Sequence, residues 1–277
     1  MLTRQIVNDP RDWRCADYVM QDKAKLILRR QMSDNVNELS QKSIPIRERL
    51  ILALDTSSVV KAKQLVEELG DSVCFYKLGL ELFMAGGYFE LIDWLKERNK
   101  EIFVDLKFFD VPETVASAVR QLKGKGARFA TVHGNDAILS AACDARARDG
   151  LRILSVTTLT SLDQADIEAL GFQTDVETLV LSRAERALKV GCDGVISSGL
   201  EAKKLRASLG NHFLVIVPGI RPVENIDDQK RTVDVEAAFL NGADYIVVGR
   251  PIRNARDPRE AAHDIQRRIE ILFKRCV

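Results

Sequence analysis

A chain of 277 residues, 46% of them hydrophobic, is long enough for one large core, and its length suits a single βα-barrel domain with an extension. Lysine and arginine number 41 against 40 aspartates and glutamates, for a net charge of +1; this gives no electrostatic reason to expect nucleic acid or an acidic membrane, and favours a small-molecule partner. The five cysteines, Cys15, Cys74, Cys143, Cys192 and Cys276, have no paired short spacing, so neither a disulfide framework nor a zinc site is expected; without an apolar run of membrane-spanning or signal length, a cytoplasmic setting is expected.

Residues 1–46 differ in character from the rest of the chain. They are polar and charged, with breaks at Ser33-Asp34-Asn35 and Ser43-Ile44-Pro45 and a candidate short helix from Tyr18 to Met32. An N-terminal extension, unordered or partly helical, is expected here, and residues 47–277 are expected to form the folded domain. From Leu50 onward, short β-rich apolar runs alternate with amphipathic stretches. The runs are Leu50 to Leu54, Val73 to Leu78, Ile102 to Leu106, Phe129 to Val132, Leu151 to Val156, Gly194 to Ile196, Phe213 to Val217 and Tyr245 to Val248. Nearly continuous apolar strands separated by helices indicate a parallel sheet with helices outside it. Eight such units predict a (β/α)8 TIM barrel. A doubly wound open sheet is the alternative, but the first βα turn, Leu54-Asp55-Thr56-Ser57-Ser58, lacks the glycine-rich dinucleotide fingerprint.

Barrel enzymes gather their functional groups at the C-terminal ends of the strands. Here those ends carry Asp55, Lys77, Asp105 with Lys107, His133, Thr160 and Ser197-Ser198. Strand alternation directs Asp105 and Lys107 to one face, where two charges are buried cheaply only as a pair. Asp110 follows a turn, and Pro112 suits the first turn of a helix, where its missing N–H is no loss. A single charge at a strand end is usually a solvated cap, but four charges of alternating sign on three consecutive strands favour a site. His133 alone reads more simply as a hydrogen-bonded structural residue. The last two strand ends, Pro218-Gly219-Ile220-Arg221-Pro222 and Gly249-Arg250-Pro251, combine close backbone approach, guanidinium forks and helix N-termini, the makings of a phosphate cradle.

These residues resemble one known family. Asp105-Leu106-Lys107-Phe108-Phe109-Asp110-Val111-Pro112 is similar to the D-x-K-x-x-D-[IV]-P signature of the orotidine 5'-phosphate decarboxylases, of bacterial type. Leu54-Asp55, Tyr76-Lys77-Leu78-Gly79, Leu159-Thr160-Ser161, Pro218 to Pro222, Asp228-Gln229 and Val248 to Pro251 follow in the family's order, over about residues 46–275. The resemblance implies decarboxylation of orotidine 5'-phosphate to uridine 5'-monophosphate, with no metal and no cofactor. It implies Lys107 as proton donor to pyrimidine carbon 6, Asp105 beside the substrate carboxylate, and Lys77 linking the two aspartates and contacting the ribose. Asp55 and Thr114 would bind ribose hydroxyls, Thr160 the pyrimidine, and Arg221, Gln229, Gly249 and Arg250 the phosphate end. Asp110 and Thr114 would reach a neighbour's site, implying a homodimer with shared active sites. The interval from Arg221 to Gln229 is one residue shorter than in bacterial relatives.

The chemistry needs such an array, because decarboxylation at a carbon without a carbonyl sink leaves carbanion-like charge that must be stabilised in the transition state. The alternative is a magnesium-dependent sugar-phosphate decarboxylase or aldolase of the same superfamily. Those relatives resemble this chain in the D-x-K-x-x-D element but carry a glutamate where this chain has Lys77, and an ammonium there would repel magnesium.

Overall fold

The computed structural model describes residues 39–146, 150–220 and 231–274. Expectations for residues 1–38, including the helix from Tyr18 to Met32, lie outside them. One compact unit spans Leu39–Val277, and its N-terminal stretch is packed in place. Leu39 is buried, and Lys42 Nζ lies 3.0 Å from the wholly buried carboxylate of Asp244.

Eight parallel strands close into a barrel in sequence order: β1 Leu50–Ala53, β2 Phe75–Gly79, β3 Glu101–Phe108, β4 Ala127–Val132, β5 Arg152–Val156, β6 Gly194–Ile196, β7 Leu214–Val217 and β8 Tyr245–Val248. Closure is made by β1 against β8, with Leu50 opposite Ile246 and Leu52 opposite Val248. Helices follow the strands and cover the barrel, as the alternation of apolar runs and amphipathic stretches requires. Several of them begin on side chains that satisfy the free N–H groups of the first turn, among them Asp163, which accepts from the Asp166 N–H. Ser58, Asn135, Asp175 and Asp234 accept from Lys61, Ile138, Thr178 and Ala237 respectively.

The lower barrel is a dry plug. Phe75, Phe129 and Tyr245 lie with ring centroids 5.2 to 5.9 Å apart, Phe103 packs edge-on against Phe129, and Ile51, Leu154, Leu214 and Ile216 complete the cluster. Burying side chains of this size contributes about 1.5–3 kcal/mol each. The plug also fixes the floor above which polar groups collect, since Ala53, Phe103 and Val247 belong both to it and to the wall of the large cavity at the strand ends.

Candidate active site

The site begins with an irregular strand. Val104 pairs with Ala130 and Phe108 with Val132, so β3 spends four residues where β4 spends two. Asp105, Leu106 and Lys107 therefore leave the ladder with β4, a bulge of the kind that re-aims side chains near functional sites. Lys107 adopts φ 49°, a left-handed conformation that costs a non-glycine residue energy unless its surroundings hold it. Thr131 holds it: its hydroxyl accepts from the Lys107 N–H at 2.9 Å and donates to Asp105 Oδ1 at 2.9 Å. Asp105 and Lys107 do meet, as strand alternation anticipates, but through this bulge rather than through a regular pleat.

Four charges then form a chain. Lys107 Nζ lies 3.0 Å from Asp105 Oδ1, Lys77 Nζ 3.2 Å from Asp105 Oδ2, and Lys77 Nζ 3.3 Å from Asp55 Oδ1. The Lys77 side chain is 13% exposed and that of Lys107 36%, so Lys77 is the enclosed member and Lys107 the one that opens onto the cavity. Burial opposes charge on Lys77, but Asp105 and Asp55 together outweigh it and raise its pKa above the usual lysine value. Burial likewise opposes charge on Asp105, yet Lys77, Lys107 and the Thr131 hydroxyl hold its carboxyl below the usual range. Gly79 leaves the needed room, because a Cβ there would stand 3.2 Å from Asp55 Oδ1 and 3.4 Å from Lys77 Nζ.

The cavity holds about 450 Å³ and is lined by Asp55, Lys77, Asp105, Lys107, Thr160, Gly219, Gly249 and Arg250, among others. The structure thus gathers most of the sequence-derived candidates around one space of the size that takes a small organic ligand. Asp110 and Thr114 stand apart. Both are exposed and neither lines the cavity; Asp110 Oδ1 accepts from the Val111 N–H at 2.6 Å. Pro112 opens its helix, Pro112–Arg120, as expected. His133 turns to β5, its Nδ1 donating to the Val156 carbonyl at 3.1 Å, and burial lowers its pKa. Arg221 and Gln229 lie outside the described residues, as does the loop that contains them.

Thr131 and Arg253 escaped the sequence reading, and Thr158 stood only among the polar residues at the end of the fifth strand. Thr131 looks like any β-branched strand residue. Arg253 also lines the cavity; its Nη1 donates to the Asp55 carbonyl and lies 3.8 Å from the Asp55 carboxylate, so the chain of alternating charge has a fifth member. The Thr158 hydroxyl, in the cavity wall, is buried without a hydrogen-bond partner. Of the two that escaped, only the Arg253 position, one turn beyond Arg250, carried a signal that sequence could have shown.

A closed eight-stranded parallel barrel with acid–amine pairs and an arginine-edged cavity at the C-terminal strand ends defines an enzyme of the (β/α)8-barrel class. Residues 48–265 match the Orotidine 5'-phosphate decarboxylase / HUMPS family, and the chain belongs to that family. It is 63% identical over 239 residues, covering 86% of this chain and 98% of the relative, to an orotidine 5'-phosphate decarboxylase of Methylococcus capsulatus. It is 47% identical to one of Stenotrophomonas maltophilia, over 83% of this chain and 97% of the relative. Among solved structures, orotidine 5'-phosphate decarboxylase from Lactobacillus acidophilus superposes with a TM-score of 0.72 at 34% identity, covering 80% of this chain and 99% of the other.

Proposed function

We propose that the chain converts orotidine 5'-phosphate to uridine 5'-monophosphate and CO2, the last step of pyrimidine nucleotide synthesis, as a carboxy-lyase without metal or cofactor. The carrying observation is Lys77 held between Asp55 and Asp105 while Lys107 takes the other oxygen of Asp105. In this reading the bond from carbon 6 to the carboxylate breaks and its electron pair stays on the ring carbon. The Lys107 ammonium stabilises that charge and then gives carbon 6 a proton, and solvent reprotonates the amine. Asp105 lies beside the departing carboxylate and favours its loss, Lys77 keeps Asp105 and Asp55 in register, and Asp55 takes ribose hydroxyls. Thr160 meets the pyrimidine, and Gly249 and Arg250 hold the phosphate together with Arg221 and Gln229. Binding the remote phosphate supplies energy for organising the reacting end.

The magnesium-dependent alternative is disfavoured by the same observation, since the ammonium of Lys77 occupies the space between two carboxylates that a divalent ion would need. Incubating the purified protein with orotidine 5'-phosphate and a chelator should deplete the substrate absorbance. Turnover that requires added magnesium would instead support the alternative. Lys107→Ala should reduce the rate by at least ~10⁴-fold while phosphate-end binding, read with uridine 5'-monophosphate, persists.

A homodimer with shared sites is part of this reading. Asp110 and Thr114 project from a segment where Phe109 and Val111 are 65% and 62% exposed, an apolar setting suited to a second copy. Mixing Asp110→Ala with Lys107→Ala protein should restore activity in heterodimers at the one site carrying neither change; two inactive proteins that stay inactive when mixed would refute sharing. A cytoplasmic setting belongs to the same reading, and no described helix is long and apolar enough to cross a membrane.

A further inference from the structure

We infer that Arg231 and Glu201 are a positioning pair that fixes the part of the cavity wall carrying Thr160, and so governs recognition of the base. The inference rests on the proposed decarboxylation, in which Thr160 meets the pyrimidine. The pair is buried, lies outside the Asp/Lys chain and contacts no reacting group.

Arg231 Nη1 is ion-paired with Glu201 Oε1. Its Nη2 donates to the Leu159 carbonyl at 2.8 Å and more weakly to the Thr158 carbonyl at 3.4 Å. The Arg231 N–H donates to the Thr160 carbonyl at 3.3 Å. Three successive carbonyls, 158 to 160, are thus held by one residue. Residues 158–161 all line the cavity and belong to no strand or helix, so no ladder fixes them in their place.

The clamp is itself anchored. Glu201 Oε2 accepts from Ser197 Oγ at 3.3 Å, and Ser198 Oγ donates to the Arg231 carbonyl at 3.3 Å. Two residues on, Val233 bridges to Ile220 and packs where a Cβ on Gly199 would collide with it. Arg231 therefore joins the loop after β5 to the end of β6. A guanidinium suits this task because its planar fork serves a carboxylate and carbonyls together, which a lysine ammonium cannot do in the same geometry. Small displacements of a substrate-positioning segment cost up to ~10²-fold, so a loosened clamp should be felt chiefly by ligands that carry a base.

The test compares uridine 5'-monophosphate with ribose 5-phosphate, which shares the phosphate and ribose but lacks the base, by calorimetric titration of the full chain. Wild type should bind the nucleotide more tightly. Arg231→Met should weaken nucleotide binding about ten- to a hundredfold and leave ribose 5-phosphate within about twofold. Should the single change prevent folding, the double variant Arg231→Met with Glu201→Met replaces the pair by apolar side chains of similar length, a change that cores often accept, and should show the same base-selective loss. Glu201→Gln, which keeps an acceptor for the guanidinium, should retain most of the selectivity. Equal weakening for both ligands, or unchanged selectivity in folded Arg231→Met or double-variant protein, overturns the inference and leaves a merely structural ion pair. Wild type that does not prefer the nucleotide overturns the reading of Thr160 itself.

Discussion

Lys107 shows how a single residue can be read correctly for an incomplete reason. The signature around it and the period-two rule both bring it to Asp105, and the two meet at 3.0 Å. Neither rule reveals φ 49° or the hydroxyl that stabilises it, since Thr131 is 26 residues away in sequence from Asp105 and mid-strand threonine usually signals only β-propensity. Thr131→Val keeps the shape but leaves the Lys107 N–H without its acceptor and Asp105 Oδ1 with Lys107 Nζ alone. It should cost about 1–3 kcal/mol, seen as a lower denaturation midpoint, and should also reduce kcat because Lys107 loses its fixed backbone. Acid titration gives a second check. The folded pKa of Asp105 lies below its ordinary value, so the stability it contributes is complete above about pH 4 and is lost as pH falls through the lower, folded value. Denaturant unfolding between pH 5 and pH 2 should therefore show a shallower acid dependence in Asp105→Asn than in wild type. An equal slope would mean that Asp105 is not ionised against its lysines.

Among the elements, strands were the legible part. Each observed strand overlaps an apolar run read from the sequence; the eight-fold alternation pointed to a parallel sheet covered by helices, and the missing glycine-rich fingerprint in the first βα turn favoured the barrel over an open doubly wound sheet. The bulge in β3 was not legible: it is a mismatch between two strands, and a single strand's pattern contains no record of its partner's register. Arg253's place one turn beyond Arg250 was visible in the sequence, but its meeting with Asp55 depends on the closure of the first strand against the last. Small residues at strand ends, by contrast, are informative once the charges beside them are known. Gly79→Ala would push a methyl group between Lys77 and Asp55, to 3.2 Å from Asp55 Oδ1, tighter than ordinary van der Waals separation, and to 3.4 Å from Lys77 Nζ, at its limit. It should raise KM for the nucleotide substrate more than it lowers the melting temperature, and steady-state kinetics beside a thermal melt would separate the two.

For the molecule as a whole, stability and chemistry sit at opposite ends of the barrel. Beyond the plug, Asp244 at the start of β8 gathers Lys42 at 3.0 Å, Arg206 at 2.7 Å and the Val215 N–H at 2.9 Å. Asp244→Ala would leave two cations facing a buried void, a loss of about 3–5 kcal/mol, and should lower the melting temperature while kcat measured well below it stays near wild type. A comparable loss of kcat would show that the two ends are coupled. Closure by β1 and β8 also sets an order in time. As the chain leaves the ribosome, Asp55, Lys77, Asp105, Lys107 and Thr160 are all made before β8, yet the plug lacks Tyr245 and the cavity lacks Gly249 and Arg250 until the final stretch emerges. A nascent chain halted before Tyr245 therefore carries every proton-handling group the reaction is assigned and still has no closed vessel in which to use them.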